Sequence, residues 1–290
     1  MDRADVAIIG GGPAGLAALA RLVKLGIASS LVIEREEEAG GVPRHCGHWG
    51  FGWQSHRRLW RGPRFAEELR RATAGLDVRT ATTALAVAPG GVITLRDAKG
   101  LSQLMARRIL VATGTRESTR AARLIGGTRP AGVMNTGALQ QHVYLKGHRP
   151  FLRPAIIGSA WVSFSALLTC RHLGIRPVAL VEEKRRTEAP AAGAIVSRLV
   201  FGVPVLTDTR LVAIEGKRAV EAIAVEHRGE RRHIACDGVI VSGAFVPEDH
   251  LLAPGIEAVT AGNVRGPLKT SGACWREGVA AADRIARSLE

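Results

Sequence analysis

The chain predicts an α/β fold of two three-layer units, the second inserted into the first. Three observations carry this. An apolar run from Val6 to Ile9 meets a glycine turn and an alanine- and leucine-rich segment, and a second apolar run from Leu31 ends in Glu34. The same order returns at Pro154, with Ala155-Ile156-Ile157, then Gly158, an apolar segment to Leu173, and a run from Pro177 that ends in Glu182. Each half is closed by a further apolar run ending in glycine, Arg108 to Gly114 and Gly238 to Gly243. Short continuous apolar runs between turns mark strands covered on both faces, and an internal repeat of this spacing marks a duplicated fold.

The first repeat has the strand, turn, helix and strand of a Rossmann-like dinucleotide-binding unit. Gly10 permits the tight turn off the strand, Gly12 lets a pyrophosphate approach the backbone, and Gly15 lets the helix pack close to the sheet. Pro13 and Ala14 open that helix, whose N-terminal N–H groups and positive dipole end face the phosphates. Glu34, followed by Arg35, is placed to accept hydrogen bonds from a ribose diol. Phe65 to Ala72 is helical in pattern. Asp77 to Val87 and Gly91 to Leu95 alternate as strands joined at Pro89-Gly90-Gly91, and the next strand ends in Ala112-Thr113-Gly114.

In the second repeat the fingerprint has decayed to Gly158-x-Ala160-x-x-Ser163. Glu182 favours a free ribose diol, and so NADH over its 2′-phosphorylated form. Two readings stay open: an NADH site, or a domain kept for structure or for another adenine nucleotide. Ala219 to His227 and Arg231 to Cys236 form a hairpin before the strand at Gly238. Ile256 to Asn263 is a short strand leading to a turn, and Ser271 to Leu289 is an amphipathic helix.

A length of 290 residues allows two domains, and 46% hydrophobic content supplies their cores. The net charge of +14 raises nucleic acid as a partner. Against it, bases and acids are interleaved, as in Glu67-Glu68-Leu69-Arg70-Arg71, so an acidic protein partner or an anionic cofactor is the better use of the excess. Cys46, Cys170, Cys236 and Cys274 lie far apart without a CxxC pair, as expected of free thiols in a reducing cytoplasm and not of a local metal cluster. The N-terminus enters a strand almost at once, leaving no room for a signal peptide, and no transmembrane segment is expected.

This order of elements resembles the two-dinucleotide-binding-domain flavoproteins, the pyridine nucleotide-disulfide oxidoreductase superfamily of thioredoxin reductase, NADH oxidase and glutathione reductase. The resemblance rests on Gly10 to Gly15 with Glu34, on Val111-Ala112-Thr113-Gly114, on the repeat at Gly158, and on Ala261-Gly262-Asn263 before the last helix. It implies an FAD domain of residues 1–116 and 243–290 and an inserted second nucleotide domain of 117–242. It also implies FAD contacts at Gly10, Gly12, Pro13, Ala14, Gly15, Glu34, Arg35, Gly41, Val42, Arg44, Ala112, Thr113, Gly114, Gly262, Asn263 and Ser271. Asn263 stands where the family has aspartate, keeping a hydrogen-bonding group but not the charge. Thr270-Ser271-Gly272 would aim the last helix at the flavin pyrimidine edge.

The family's redox CxxC is absent, which removes the disulfide reductase reaction. Cys46, in the loop Gly40 to Gly52, is the one candidate for thiol chemistry, with His45, Arg44 and His48 able to lower its pKa. The competing reading, which the rest of the chain favours, is that the loop wraps the flavin. His45, Cys46 and His48 alone do not complete a zinc site, so no metal is expected.

The string Gly40-Gly-Val-Pro-Arg-His-Cys-Gly-His48 followed by Gly50-Phe-Gly52 resembles the FAD-containing α subunits of heteromeric amine and amino-acid dehydrogenases, of the opine oxidase, hydroxyproline dehydrogenase and hydrogen cyanide synthase type. This implies an electron-transfer subunit working with a D-amino-acid-oxidase-like flavoprotein β subunit. The sequence ends at Glu290 without a cysteine-rich domain, so any iron–sulfur centre would come from another, small subunit. The alternatives are a free-standing NADH-dependent FAD reductase or oxidase, and a non-catalytic nucleotide-binding scaffold.

Overall fold

A computed structural model describes residues 1–189, 191–266 and 268–289; Pro190, Pro267 and Glu290 lie outside the described residues. The chain divides into two compact units, Met1–Arg116 with Pro247–Glu290, and Glu117–Val246.

In the first unit the strand Asp2–Ile9 lies between Ser30–Ile33 and the long strand Gly100–Val111, parallel to both. Asp77–Arg79 extends the sheet on one side and Val259–Thr260 on the other. Alternate residues of the central strands fill two cores. Val6, Ile8, Val32 and Leu110 face Leu16, Leu19, Leu22, Phe65, Leu69 and Ile285 of three helices. Ala7, Ile9, Leu31, Ile33, Ile109 and Val111 face Ile93, Leu95 and Leu104 of an antiparallel meander. Burial on both sides is why these strands read as continuous apolar runs.

That meander differs from the expected strands. Asp77 to Val87 breaks in two, because Asp77–Arg79 joins the parallel sheet and Thr83–Ala88 pairs antiparallel with Val92–Asp97. Gly100–Val111 starts well before Arg108, since its first half pairs with the meander and its alternation there is half exposed.

Helix Pro13–Lys24 crosses the last helix, Ser271–Arg287, with almost no separation: a Cβ added at Gly278 would lie 2.0 Å from the Ala14 carbonyl oxygen. Arg21 Nε to Asp283 Oδ1, at 2.7 Å, ties the same two helices further along.

The second unit repeats the plan. Five parallel strands run in the order 133–135, 238–241, 154–157, 179–181 and 205–206, and a four-stranded sheet of 126–127, 209–215, 222–227 and 230–235 covers one face. Helices Trp161–His172 and Thr136–Gln140 pack on the other through Leu139, Ala166, Leu167 and Cys170.

Gly278→Val should separate the two crossing helices and lower the urea midpoint by the equivalent of about 1–3 kcal/mol. Gly266→Ala, whose added Cβ meets open space, should leave the midpoint unchanged in the same unfolding series.

Candidate functional site

Register builds the site in the first unit. Ile9 is paired with Ile33 and with Val111, and Val111 with Thr260. The next residues, Gly10, Glu34, Ala112 and Ala261, therefore emerge together at the carboxyl edge of the sheet, where open α/β sheets bind ligands. The turn there is too tight for side chains. Gly10 has φ +108° and its Cβ would meet Ala112 O at 2.5 Å, while a Cβ on Gly15 would fall 1.9 Å from Gly10 O. A Cβ on Gly12, in contrast, meets nothing nearer than Gly41 Cα at 3.9 Å. So two glycines are demanded by the protein's own packing, and the third faces open space at the start of helix Pro13–Lys24. No side chain caps that helix, and its first turn carries no acid. This is a cradle for an anion, made of backbone N–H groups and a helix dipole.

Glu34 is buried beside this turn. Its Oε2 accepts the Gly11 N–H at 2.8 Å and its Oε1 the Glu36 N–H at 2.9 Å. These bonds aim the carboxylate across the turn and leave lone pairs for a diol. Arg35 beside it is exposed. The loop that follows closes over the turn: Gly40 N–H donates to Gly11 O at 2.7 Å, and Gly41, at φ +62°, comes so near that an added Cβ would lie 2.9 Å from Gly12 Cα. Val42 remains exposed, whereas the Arg44 side chain is largely buried, with Nε 3.6 Å from Glu38 Oε2 and no hydrogen-bond partner. An orphaned buried donor beside an uncapped helix start fits a bound polar group there. His45 and Cys46 are both buried.

Thr113 and Gly114 leave the sheet edge bonded to Glu248: Thr113 Oγ1 donates to Glu248 O at 2.6 Å, and Glu248 N–H to Gly114 O at 2.9 Å. Gly262 packs on Ala14, its N–H held by Glu277 Oε2 at 3.0 Å. The Asn263 amide bridges the backbone of Lys269 in both directions, Oδ1 accepting at 2.8 Å and Nδ2 donating at 3.2 Å. Asn263 thus holds the loop that leads into the last helix. At that helix start, Thr270 is the cap, Ser271 the first residue, and Gln54 covers them: Thr270 Oγ1 donates to Gln54 Oε1 at 2.5 Å. Sequence reasoning missed Gln54 and Glu277, because a lone polar residue in a loop or helix carries no pattern.

The second unit has the same register. Gly158, Glu182 and Ser242 follow the paired residues Ile157, Val181 and Val241. Gly158, at φ +106°, keeps its close approach, an added Cβ lying 2.6 Å from Ser242 O. At the third position, Ser163 is accommodated: it is fully buried and donates to Ser242 Oγ at 2.9 Å. Ala160 caps helix Trp161–His172 without a side-chain bond, and Trp161 is 71% exposed. Glu182 is engaged by the Ser159 hydroxyl and the Lys184 N–H, and Ser159 Oγ also accepts the Glu188 N–H at 2.9 Å. Nearby, buried Glu117 accepts from Gly137 N–H at 2.8 Å and Gly243 N–H at 3.1 Å, and burial pushes its pKa up against those bonds. Ser159 and Glu117 had no sequence signal.

Among the described residues no group of three or more His, Cys, Asp or Glu side chains is placed to hold a metal ion, and no helix is long and apolar enough to cross a membrane.

The chain belongs to the pyridine nucleotide-disulphide oxidoreductase family, whose model matches residues 4–266. It is 31% identical over 212 residues to the A subunit of opine oxidase from Rhizobium meliloti (strain 1021), covering 67% of this chain and 41% of that protein. It is 27% identical over 328 residues to the alpha subunit of sarcosine oxidase from the same organism, covering 98% of this chain and 30% of that protein. The chain therefore spans less than half the length of either relative. Similar solved folds are thioredoxin reductase of T. acidophilum (TM-score 0.81, 17% identity, 100% of this chain and 99% of that one) and the bacillithiol disulfide reductase of Bacillus cereus (TM-score 0.76, 18% identity, all of both chains). L-proline dehydrogenase of P. horikoshii matches with TM-score 0.71 and 18% identity, over 99% of this chain and 56% of that one. The family binds FAD, with NAD(P) in its second domain, and this protein is an FAD-dependent oxidoreductase.

The glycines give a discriminating test. Gly12→Ala should fold with an unchanged unfolding midpoint yet purify with little FAD, because its methyl enters space the protein leaves empty. Gly10→Ala should lose both FAD and stability. Glu34→Ala should weaken FAD by about 10- to 100-fold, the worth of charge-assisted hydrogen bonds, measured by flavin fluorescence on reconstitution.

Proposed function

We propose that this chain is the FAD-containing electron-transfer subunit of a heteromeric dehydrogenase acting on an amine, imino acid or amino acid of the opine or hydroxyproline type. The observation that carries it is the thiol inventory of an otherwise intact family fold. The four cysteines are all buried and dispersed, with no CxxC dithiol in the sequence. Burial pushes the Cys170 thiol up to about 12 and the Cys274 thiol up to about 11, and it raises Cys236. A reactive thiol needs the opposite shift. The similarity to subunits of opine and sarcosine oxidases supports the same reading.

In this reading Gly10, Gly12, Pro13, Ala14 and Gly15 hold the FAD diphosphate against the helix start, and Glu34 binds its adenosine ribose, with Arg35 alongside. Gly41, Val42 and Arg44 line the loop over it, Ala112, Thr113 and Gly114 the strand end, and Gly262, Asn263 and Ser271 the approach to the last helix. FAD supplies the ability to accept electrons and pass them on. The protein's part is to bind it, orient it and offset its charge: the N-terminus of helix Ser271–Arg287 places a positive dipole end where negative charge develops. Cys46, buried beside His45, has a packing role under the loop. The amine site and the electron donor belong to a flavoprotein partner, and the further carrier is a small iron–sulfur subunit. Gly158 and Glu182 favour a second reading, a free-standing NADH-dependent reductase or oxidase, and they leave the second unit as a site for NADH or another adenine nucleotide.

Two measurements separate these readings. Anaerobic NADH should bleach the flavin of the purified chain slowly or not at all, and the isolated chain should not oxidise proline, hydroxyproline or an opine. Fast bleaching makes it a reductase, and robust amine oxidation without a partner removes the relay assignment. Aromatic disulfide titration at pH 8 reads the burial of the thiols. Roughly one Cys170 in ten thousand is ionised there, so Cys170 and Cys274 should react only after unfolding.

A further inference from the structure

Residues 39–66 depart from the mixed charge pattern of the chain. Between Glu38 and Glu67 there is no acidic residue, while Arg44, Arg57, Arg58, Arg61 and Arg64 all fall within the interval. Three of the five tryptophans, Trp49, Trp53 and Trp60, lie there too. The segment folds as a small antiparallel hairpin, Trp49–Phe51 with Trp60–Arg61, joined by the short helix Trp53–His56.

Its inner side is well packed. His56 sits among Trp60, Phe65 and Trp275, with ring centroids 5.3, 5.8 and 5.5 Å away, and Gly62 N–H donates to Cys46 O at 3.0 Å. Its outer side is not covered. Trp49 is 59% exposed, Trp53 62% and Leu59 60%, and Arg57, Arg58 and Arg61 are exposed beside them. Arg61 lies over the Trp49 ring with its guanidinium carbon 5.2 Å from the centroid. Among the described residues, no ion pair involves Arg57, Arg58 or Arg61. Indoles and arginines exposed together, on a rigidly backed hairpin, have the composition of a protein-interface hot spot, and large apolar side chains grouped on a surface mark an interaction site.

We propose that the face formed by Trp49, Trp53, Leu59, Arg57, Arg58 and Arg61 is the docking surface for an acidic face of the partner subunit. The inference rests on the relay reading above and adds to it where the partner sits. Charge selects the occupant. Three unpaired guanidiniums with no carboxylate in the segment are complementary to a carboxylate-rich surface and repel a second copy of the same face. Aromatic side chains on that surface anchor the contact, and the arginines steer and orient it. A nucleic acid has the charge as well, but the similar proteins are oxidase subunits, and that points to a polypeptide. Position fits the role. Gln54, on the same short helix as Trp53, covers Thr270 at the start of the last helix, the end assigned to FAD, so a partner docked here stands beside the redox end of this unit.

The test uses the complex as purified from the native host through a tag on this chain, with the co-purifying flavoprotein separated and re-added. Hydrogen exchange of complex against free chain should show protection in peptides spanning 48–61. Arg57→Glu with Arg58→Glu and Arg61→Glu should weaken the re-added flavoprotein about 100-fold or more, and Trp49→Ser with Trp53→Ser about tenfold or more, both with FAD content and melting temperature unchanged. The triple lysine variant should keep the salt dependence of binding. Protection elsewhere, or charge-reversed variants that bind like the wild type, overturns the docking surface and leaves the relay reading standing. Concentration-dependent protection of 48–61 in the chain alone, or protection abolished by nuclease, also overturns it by naming a different occupant. If no flavoprotein accompanies the chain at all, the relay reading falls, and this inference with it.

Discussion

The close approach of backbone at Gly15 is the contact on which the rest of the first unit depends. Helix Pro13–Lys24 is drawn so near the strand before it that a single methyl at Gly15 would lie 1.9 Å from Gly10 O. Three consequences follow from that approach. The helix start is brought to the carboxyl edge of the sheet, level with Glu34 and Ala112. Its first N–H groups are left without a capping side chain. The loop at Gly40 and Gly41 can then close over the turn by a backbone bond to Gly11. A binding site made of main chain is rigid because each part of it is also a packing contact, and preorganised dipoles need no rearrangement when a charged ligand arrives.

The second unit shows what changes when that contact is relaxed. Gly158 preserves the turn, because Ser242, just past the end of the neighbouring parallel strand, still lies directly against it. Ser163, however, stands where the first unit has Gly15, and its hydroxyl is satisfied by Ser242, which also accepts from Thr136 Oγ1 at 2.9 Å. A side-chain hydrogen-bond network replaces a backbone contact. Ser159 extends this by placing its hydroxyl on Glu182, the position that in the first unit is met by a backbone N–H. The two units share register and topology, yet the acidic residue at the ribose position has different partners in each.

Much of this is legible in the sequence because it is local. Gly10, Gly12, Gly15 and Glu34 follow one strand, turn, helix and strand, and the apolar runs show both faces buried. The α/β fold and the FAD-type family follow from those features. What is not legible depends on contacts distant in sequence. Gln54 meets Thr270, Glu277 holds Gly262, and Glu117 gathers N–H groups from Gly137 and Gly243; none lies in a periodic segment. The meander misleads for a related reason. Asp77–Arg79 and Thr83–Ala88 look like one alternating strand, but Ala81, at φ +49°, breaks the extended backbone between them, and the two pair with different strands. Asn263 reads in sequence as a hydrogen-bonding group for the cofactor; that its amide also holds the backbone of Lys269 depends on the loop's fold and has no sequence pattern.

The arrangement of the thiols and of the exposed indoles bears on one question, which is how electrons leave the flavin unit. A family member with a dithiol can move them through a covalent relay on its own chain. Here the cysteines are sealed in, and burial opposes the ionisation of Cys170, Cys236 and Cys274 that such a relay would need. On the relay reading proposed above, electrons pass to a separate carrier, and the rate depends on holding that carrier close and in a fixed orientation. A flat cluster of arginines alone would steer a partner without fixing it, since exposed ion pairs contribute little and are screened by salt. Indoles alone would fix it without steering. Trp49 under Arg61, with Trp53, Arg57 and Arg58 exposed on the same segment, supplies both on one hairpin whose His56 is packed against Phe65 and Trp275. The packing that makes the hairpin rigid is thus what makes its exposed face usable for docking.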